Sequence, residues 1–90
     1  MIYTVLLSRK ARFLLDDYFE SYQGTFQNND MQRRAFIYSR VLGCLAYFDA
    51  YIDKTYCIDQ RNYLNIDDLC LVEFAKENNI ILIKDLEFLF

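Results

Sequence analysis

The chain has 90 residues and a formal net charge of −3, with 54% hydrophobic and 18% aromatic residues. Ninety residues leave room for one hydrophobic core, so a single domain over residues 1–90 is expected, and so apolar a composition excludes a disordered chain. Free nucleic acid is a poor partner for it, because binding along a phosphate backbone takes a strongly basic surface.

Ile2 to Leu7 is continuously apolar, has the length of a strand, and is bounded by Ser8. Ser8 is placed to cap a helix in which Ala11, Leu14, Leu15, Tyr18, Phe19 and Tyr22 recur at the i, i+3, i+4, i+7 spacing. Gly24 follows the last stripe residue, where a left-handed terminator is expected, and Thr25 to Asn29 read as a polar loop. Asp30 then reads as the N-cap of a longer helix to about Tyr51, with Ile37, Val41, Cys44, Leu45, Phe48 and Ile52 on its core stripe. Its other faces are also apolar from Tyr38 onward, through Leu42, Ala46 and Tyr47, which predicts burial on more than one side: on the sheet, on the first helix and on a partner. Beyond Lys54, Tyr56 to Ile58, Tyr63 to Ile66, Leu69 to Ala75 and Ile80 to Leu86 read as strands. Lys76 to Asn79 make a turn whose Asn residues tolerate positive φ, so the last two strands form a hairpin. The predicted fold is α+β, in the order β-α-α-β-β-β: an antiparallel sheet with a two-helix hairpin packed on one face.

Cys44, Cys57 and Cys70 are an odd number and form no CxxC pair, so each reads as a small buried hydrophobe rather than part of a disulfide framework. With no histidine present, no zinc-ligand pattern is matched. Asp67 and Asp68, with Asp59 nearby, read as a turn before a strand and not as a cation site. No metal or cofactor is expected. The apolar run at the start breaks at Ser8, Arg9 and Lys10, too early for a signal peptide or a membrane span, and a soluble cytoplasmic protein without membrane contact is expected.

Charge is uneven. Through Leu45 six basic residues stand against four acidic ones, and from Ala46 onward four basic stand against nine acidic, which predicts a basic helical end and an acidic sheet end. Arg33 and Arg34 open the second helix, where the dipole disfavours cations, so helix stability does not explain them. With Arg9, Lys10 and Arg12 they form a candidate basic patch. Tyr18, Tyr22, Tyr38, Tyr47, Tyr51, Tyr56 and Tyr63 are more than a small core can bury with every hydroxyl satisfied. Some must reach the surface, and Phe88, Leu89 and Phe90 add an apolar edge, so a protein partner is expected.

The opening Tyr3, Val5, Leu7, Ser8 and Ala11, the helix end Asp17, Tyr18, Ser21 and Tyr22, and the closing hairpin from Leu69 to Ile83 together resemble the RelE/ParE toxin superfamily. The resemblance implies a toxin held inactive by an antitoxin segment, acting either by cleaving messenger RNA in the ribosome or by poisoning DNA gyrase without nuclease chemistry. RNA-cleaving members use basic and aromatic or His residues on the sheet and near the C-terminus. This chain has no His, ends Leu86-Glu-Phe-Leu-Phe, and offers the sheet Arg61, Lys76 and Lys84 as cations. An acidic sheet opposes the negative charge that develops in phosphodiester cleavage, so a ParE-like binding activity with no catalytic residues is expected. Arg61, next to Tyr63, matches the family's basic position before the meander. The expected partner-binding residues are Arg61, Tyr63, Arg33, Arg34, Arg9, Arg12, Phe88 and Phe90, and the expected partner is an antitoxin or target protein. A second copy paired through the last strand or Phe88 to Phe90 is compatible with this. The alternative, from a different class, is a small non-enzymatic inhibitor or immunity-type protein that blocks an enzyme through Glu73, Glu77, Asp85 and Glu87.

Overall fold

The computed structural model describes residues 2–21 and 29–89, at 29 and 30 through the backbone alone. Strand β1 (Thr4–Leu7) leads into helix α1 (Arg9–Glu20), and α2 (Asn29–Ala46) is followed by two 3-10 turns, Phe48–Ala50 and Ile52–Lys54. Four strands complete the chain: β2 (Tyr56–Ile58), β3 (Arg61–Ile66), β4 (Cys70–Glu77) and β5 (Ile80–Phe88). They form one sheet in the order β1-β5-β4-β3-β2. The fold is α+β with both helices on one face, as expected, with one strand more after the helices than the β-α-α-β-β-β order allows. The sheet is antiparallel from β2 to β5, but β1 runs parallel to β5, pairing Thr4 with Ile80 and Leu7 with Ile83. Parallel neighbours need a long crossover, and everything from α1 to β4 supplies it.

Ser8 starts α1 as expected. Its Oγ accepts from the Ala11 N–H at 3.0 Å and donates to the Lys84 carbonyl at 3.0 Å, while its own N–H reaches the Ile83 carbonyl at 2.9 Å. One residue thus caps the helix and pins it to β5. The helix ends at Glu20 with Ser21 as its C-cap: the Ser21 hydroxyl donates back to the Tyr18 carbonyl at 2.6 Å, and its N–H is shared between the Asp17 and Tyr18 carbonyls at 3.1 and 3.2 Å. Tyr22 and Gly24 lie outside the described residues. Helix α2 begins at Asn29, so Asp30 falls inside its first turn and is not the cap.

Helix α2 was expected to reach Tyr51 and stops at Ala46. Tyr47 leaves helical geometry at φ −118°, ψ 46°. The two tight turns that follow have three residues per turn, so Phe48 and Tyr51 face the same way, one buried and one half-buried against the core. In the core Ala11, Leu15 and Tyr18 of α1 and Ile37, Val41, Cys44 and Leu45 of α2 meet Leu64, Ile66, Val72, Phe74, Ile81, Ile83 and Leu86 of the sheet. Phe48 sets its edge against Phe74, ring centroids 5.0 Å apart and planes at 73°, a geometry worth about 1 kcal/mol beyond the area it buries. Of the other faces of α2, the one with Tyr38 is half-buried against Phe19 of α1, ring centroids 5.1 Å apart, while Leu42 and Ala46, and Tyr47 just past the helix end, are exposed.

The strand connections rest on left-handed residues. Asn78 turns β4 into β5 at φ 55°, as expected, and Asp67 and Asp68 turn β3 into β4 at 51° and 58°. Asn65 secures the second turn, accepting from the Asp68 N–H at 2.8 Å. Between β2 and β3 the positions are Asp59 and Gln60, both at positive φ. Cys44 and Cys70 are buried, but Cys57 is exposed, since β2 is an edge strand of three residues with no cover on either side.

One irregularity sets the faces of β5. Phe74 pairs with Ile83 but Glu73 pairs with Asp85, so Lys84 is an extra residue without a partner in the register. Inward positions are therefore Ile81 and Ile83 before it, and Leu86 and Phe88 after it.

Candidate functional site

Helices cover one face of the sheet and leave the other open. Alternation along each strand sends Arg61, Tyr63 and Asn65 of β3 to that open face, with Leu71 and Glu73 of β4 and Glu87 of β5. The register then assembles them: Tyr63 lies opposite Glu73, Glu73 opposite Asp85, and Leu71 opposite Glu87. Arg61, Tyr63, Leu71, Glu73, Asp85 and Glu87 line a shallow basin of about 250 Å³. At its rim the Tyr56 ring stacks beside Tyr63, centroids 5.7 Å apart.

Three carboxylates and one guanidinium share this basin, and their partners differ. Asp85 takes the Lys10 ammonium at 3.1 Å, around the end of β1, and Lys84 stands 3.9 Å from Glu73. Arg61 is exposed, and neither it nor Glu87 takes part in an ion pair among the described residues. The basin thus presents one unpaired cation and one unpaired carboxylate beside two stacked phenols. It offers hydrogen bonds of both polarities and an aromatic platform to a bound surface. Its acid balance makes it a poor cradle for a phosphodiester. Among the described residues no group of three or more His, Cys, Asp or Glu is arranged to hold a metal ion.

The expected binding residues do not form one site. Arg61 and Tyr63 come together on the open face. Arg34 and Phe88 line a separate groove between α1 and the end of β5, with Leu14, Asp17, Tyr18, Ser21, Leu86 and Glu87, of about 410 Å³. Phe88 is not an exposed edge: its ring lies flat on Tyr18 at 3.9 Å, because the bulge at Lys84 turns it inward. Arg9 and Arg12 are exposed on α1 and Arg33 on α2, on the helical side of the sheet and away from Arg61. Phe90 lies outside the described residues. The sequence reading grouped Glu73, Asp85 and Glu87 with Glu77 on one acidic surface and set that surface against Arg61; what it missed is that the first three share a basin with Arg61. Strict alternation from Ile81 would put Asp85 and Glu87 on the inner face, and only the extra residue reverses them.

A second cluster ties α2 to the sheet. Arg40 donates to Asp67 Oδ2 at 2.8 Å, to the Tyr51 hydroxyl at 2.9 Å and to Cys44 Sγ at 3.2 Å. The Tyr51 contact, and then the neighbouring Cys44, raise the Arg40 pKa further above its ordinary value. These groups are occupied with one another and form a structural strap.

These features define an α+β domain whose sheet carries both helices on one face and a shallow basin of mixed charge on the other. No family model, curated protein or solved structure matches the chain. No helix among the described residues is long and apolar enough to cross a membrane.

Proposed function

We propose that the chain is a RelE/ParE-like toxin component of a toxin–antitoxin module, acting in the cytoplasm by gripping a macromolecular target and not by cleaving RNA. The observation that carries this reading is Arg61, exposed and without an ion pair among the described residues, beside the stacked Tyr63 and Tyr56, on a sheet face that the helices leave bare. Interfaces draw their strongest contacts from Arg and Tyr in such settings. The acidic surroundings of Arg61 favour a protein contact over a phosphate one, in keeping with the ParE-like version. An antitoxin segment is the second partner in this reading.

A different reading is favoured by Glu73, Asp85 and Glu87 in the same basin: an inhibitor or immunity-type protein that meets a basic enzyme surface with these carboxylates. Induced expression of the chain separates the two, with growth and affinity capture as readouts. The toxin reading expects growth arrest, relieved by Arg61→Ala with Tyr63→Ala and untouched by Glu87→Gln. Harmless expression, together with capture of an enzyme that is lost on Glu73→Gln with Glu87→Gln, would overturn it in favour of the inhibitor.

A further inference from the structure

The open face of the sheet carries an apolar row beside the charged basin. The register sets Leu6 of β1 beside Leu82 of β5, and Leu82 beside Ala75 of β4, so three apolar side chains stand across three strands, about 4.8 Å from one to the next. Ile80, two residues before Leu82, faces the same way. A sheet face in water is ordinarily polar. Here Leu6 is 48% exposed, Ile80 42% and Leu82 36%, although β5 lies inside the sheet with a strand on either side. Two positions further along the strands, roughly 7 Å away, come Asp85, Glu73 and Tyr63, and beyond them Glu87 beside Leu71. In the basin the carboxylates outnumber Arg61 three to one. Lys10 and Lys84 engage Asp85 and Glu73, which leaves Glu87 exposed and without an ion pair among the described residues.

We propose that the row and the basin together receive an extended basic segment of a partner protein, with apolar side chains over Leu6, Leu82 and Ala75 and an arginine two positions further on. The roughly 7 Å between the two rows is the spacing of alternate residues in an extended chain, which fixes the pattern as apolar-x-Arg. The arginine lies along the Tyr63 ring and gives its guanidinium to Glu87, the carboxylate that has no cation of its own. Charge selects this occupant over the others. A nucleic acid or an anionic membrane would set phosphates against Glu73, Asp85 and Glu87, and a second copy laid face to face would set carboxylates against carboxylates. The inference rests on the basin being a binding surface and on neither version of what it binds for. In the toxin version the segment is the second partner and not the target, so growth arrest stays indifferent to Glu87.

The test is a titration of the full chain with a blocked pentapeptide, acetyl-Leu-Thr-Leu-Thr-Arg-amide, to about 5 mM, followed by backbone amide NMR shifts. The shifts are expected at Leu6, Leu82, Glu73 and Glu87 and not on the helices. Citrulline in place of the arginine should weaken binding at least about threefold, as should Glu87→Gln, the scale of one exposed ion pair. Leu82→Thr, which keeps a strand former at an exposed position, should weaken it as well. A peptide that leaves the open face unshifted, or binds equally well as the citrulline form or to Glu87→Gln, would overturn the proposal. Self-association of the chain through this face, seen as line broadening of the same amides with protein concentration, would overturn it in favour of a second copy. Growth arrest by a chain that ignores the peptide would remove this inference and keep the toxin reading; peptide binding by a harmless chain would do the reverse.

Discussion

Cys70 opens β4 on the inner face of the sheet with none of its surface exposed. Burial is the main cause that pushes its thiol pKa up to about 12. An unfolded cysteine ionises near pH 8.5, so above that pH the native chain keeps a proton that the unfolded chain has lost. Stability from this group is therefore whole below about pH 8.5 and drains away as pH rises toward about 12, by at most about 1.4 kcal/mol per unit. Urea denaturation at pH 8 and pH 10 should show a fall in midpoint that is smaller in Cys70→Ala; equal falls would assign the loss to other groups. The apolar runs around Cys44 and Cys70 made their burial legible in the sequence. Cys57 has equally apolar neighbours, and only its place in a three-residue edge strand exposes it.

At the scale of elements, Arg40 joins three pieces that no shared strand or helix connects: α2, the 3-10 turn region at Tyr51, and the turn at Asp67. Arg40→Ala should lower stability by about 1–2 kcal/mol, since it strands two hydrogen-bonding groups at a half-exposed site. A double-mutant cycle with Asp67→Asn in urea denaturation should give a coupling of about 0.5–1 kcal/mol, and a coupling near zero would mean that the 2.8 Å contact contributes only geometry. The elements legible in advance were those with local punctuation: α1 through the Ser8 cap and its periodic stripe, and the β4–β5 hairpin through Asn78. The end of α2 was not legible, because Phe48, Tyr51 and Ile52 fit an α-helical stripe as well as they fit two 3-10 turns. Nothing local in Thr4–Leu7 names β5 as a neighbour, so its parallel pairing could not be read either.

For the whole molecule the governing fact is that two helices cover a five-stranded sheet on one side only. An uncovered face in water is ordinarily polar, and across β3 and β4 this one is. Toward β1 it is not: Leu6, Ile80 and Leu82 are all partly exposed there, beside the charged basin. Arg61 and Tyr63 could be picked out as candidates from their type and position, and Glu73, Asp85 and Glu87 as carboxylates of one acidic surface. That both groups share one basin could not be read, because which face Asp85 and Glu87 occupy depends on a register that only the assembled sheet defines.

Lys84 can be viewed as an insertion recorded in a strand. With it removed, simple alternation along Ile81-Leu-Ile-Asp-Leu-Glu-Phe puts Ile81, Ile83, Leu86 and Phe88 all on the inner face. A chain shortened by this one residue should still fold, because its binary pattern becomes simpler. What it gives up is the carbonyl that receives the Ser8 hydroxyl and the local twist that carries Asp85 to Lys10. A single codon would thus separate the part of the sequence that makes the sheet from the part that joins the first helix to it.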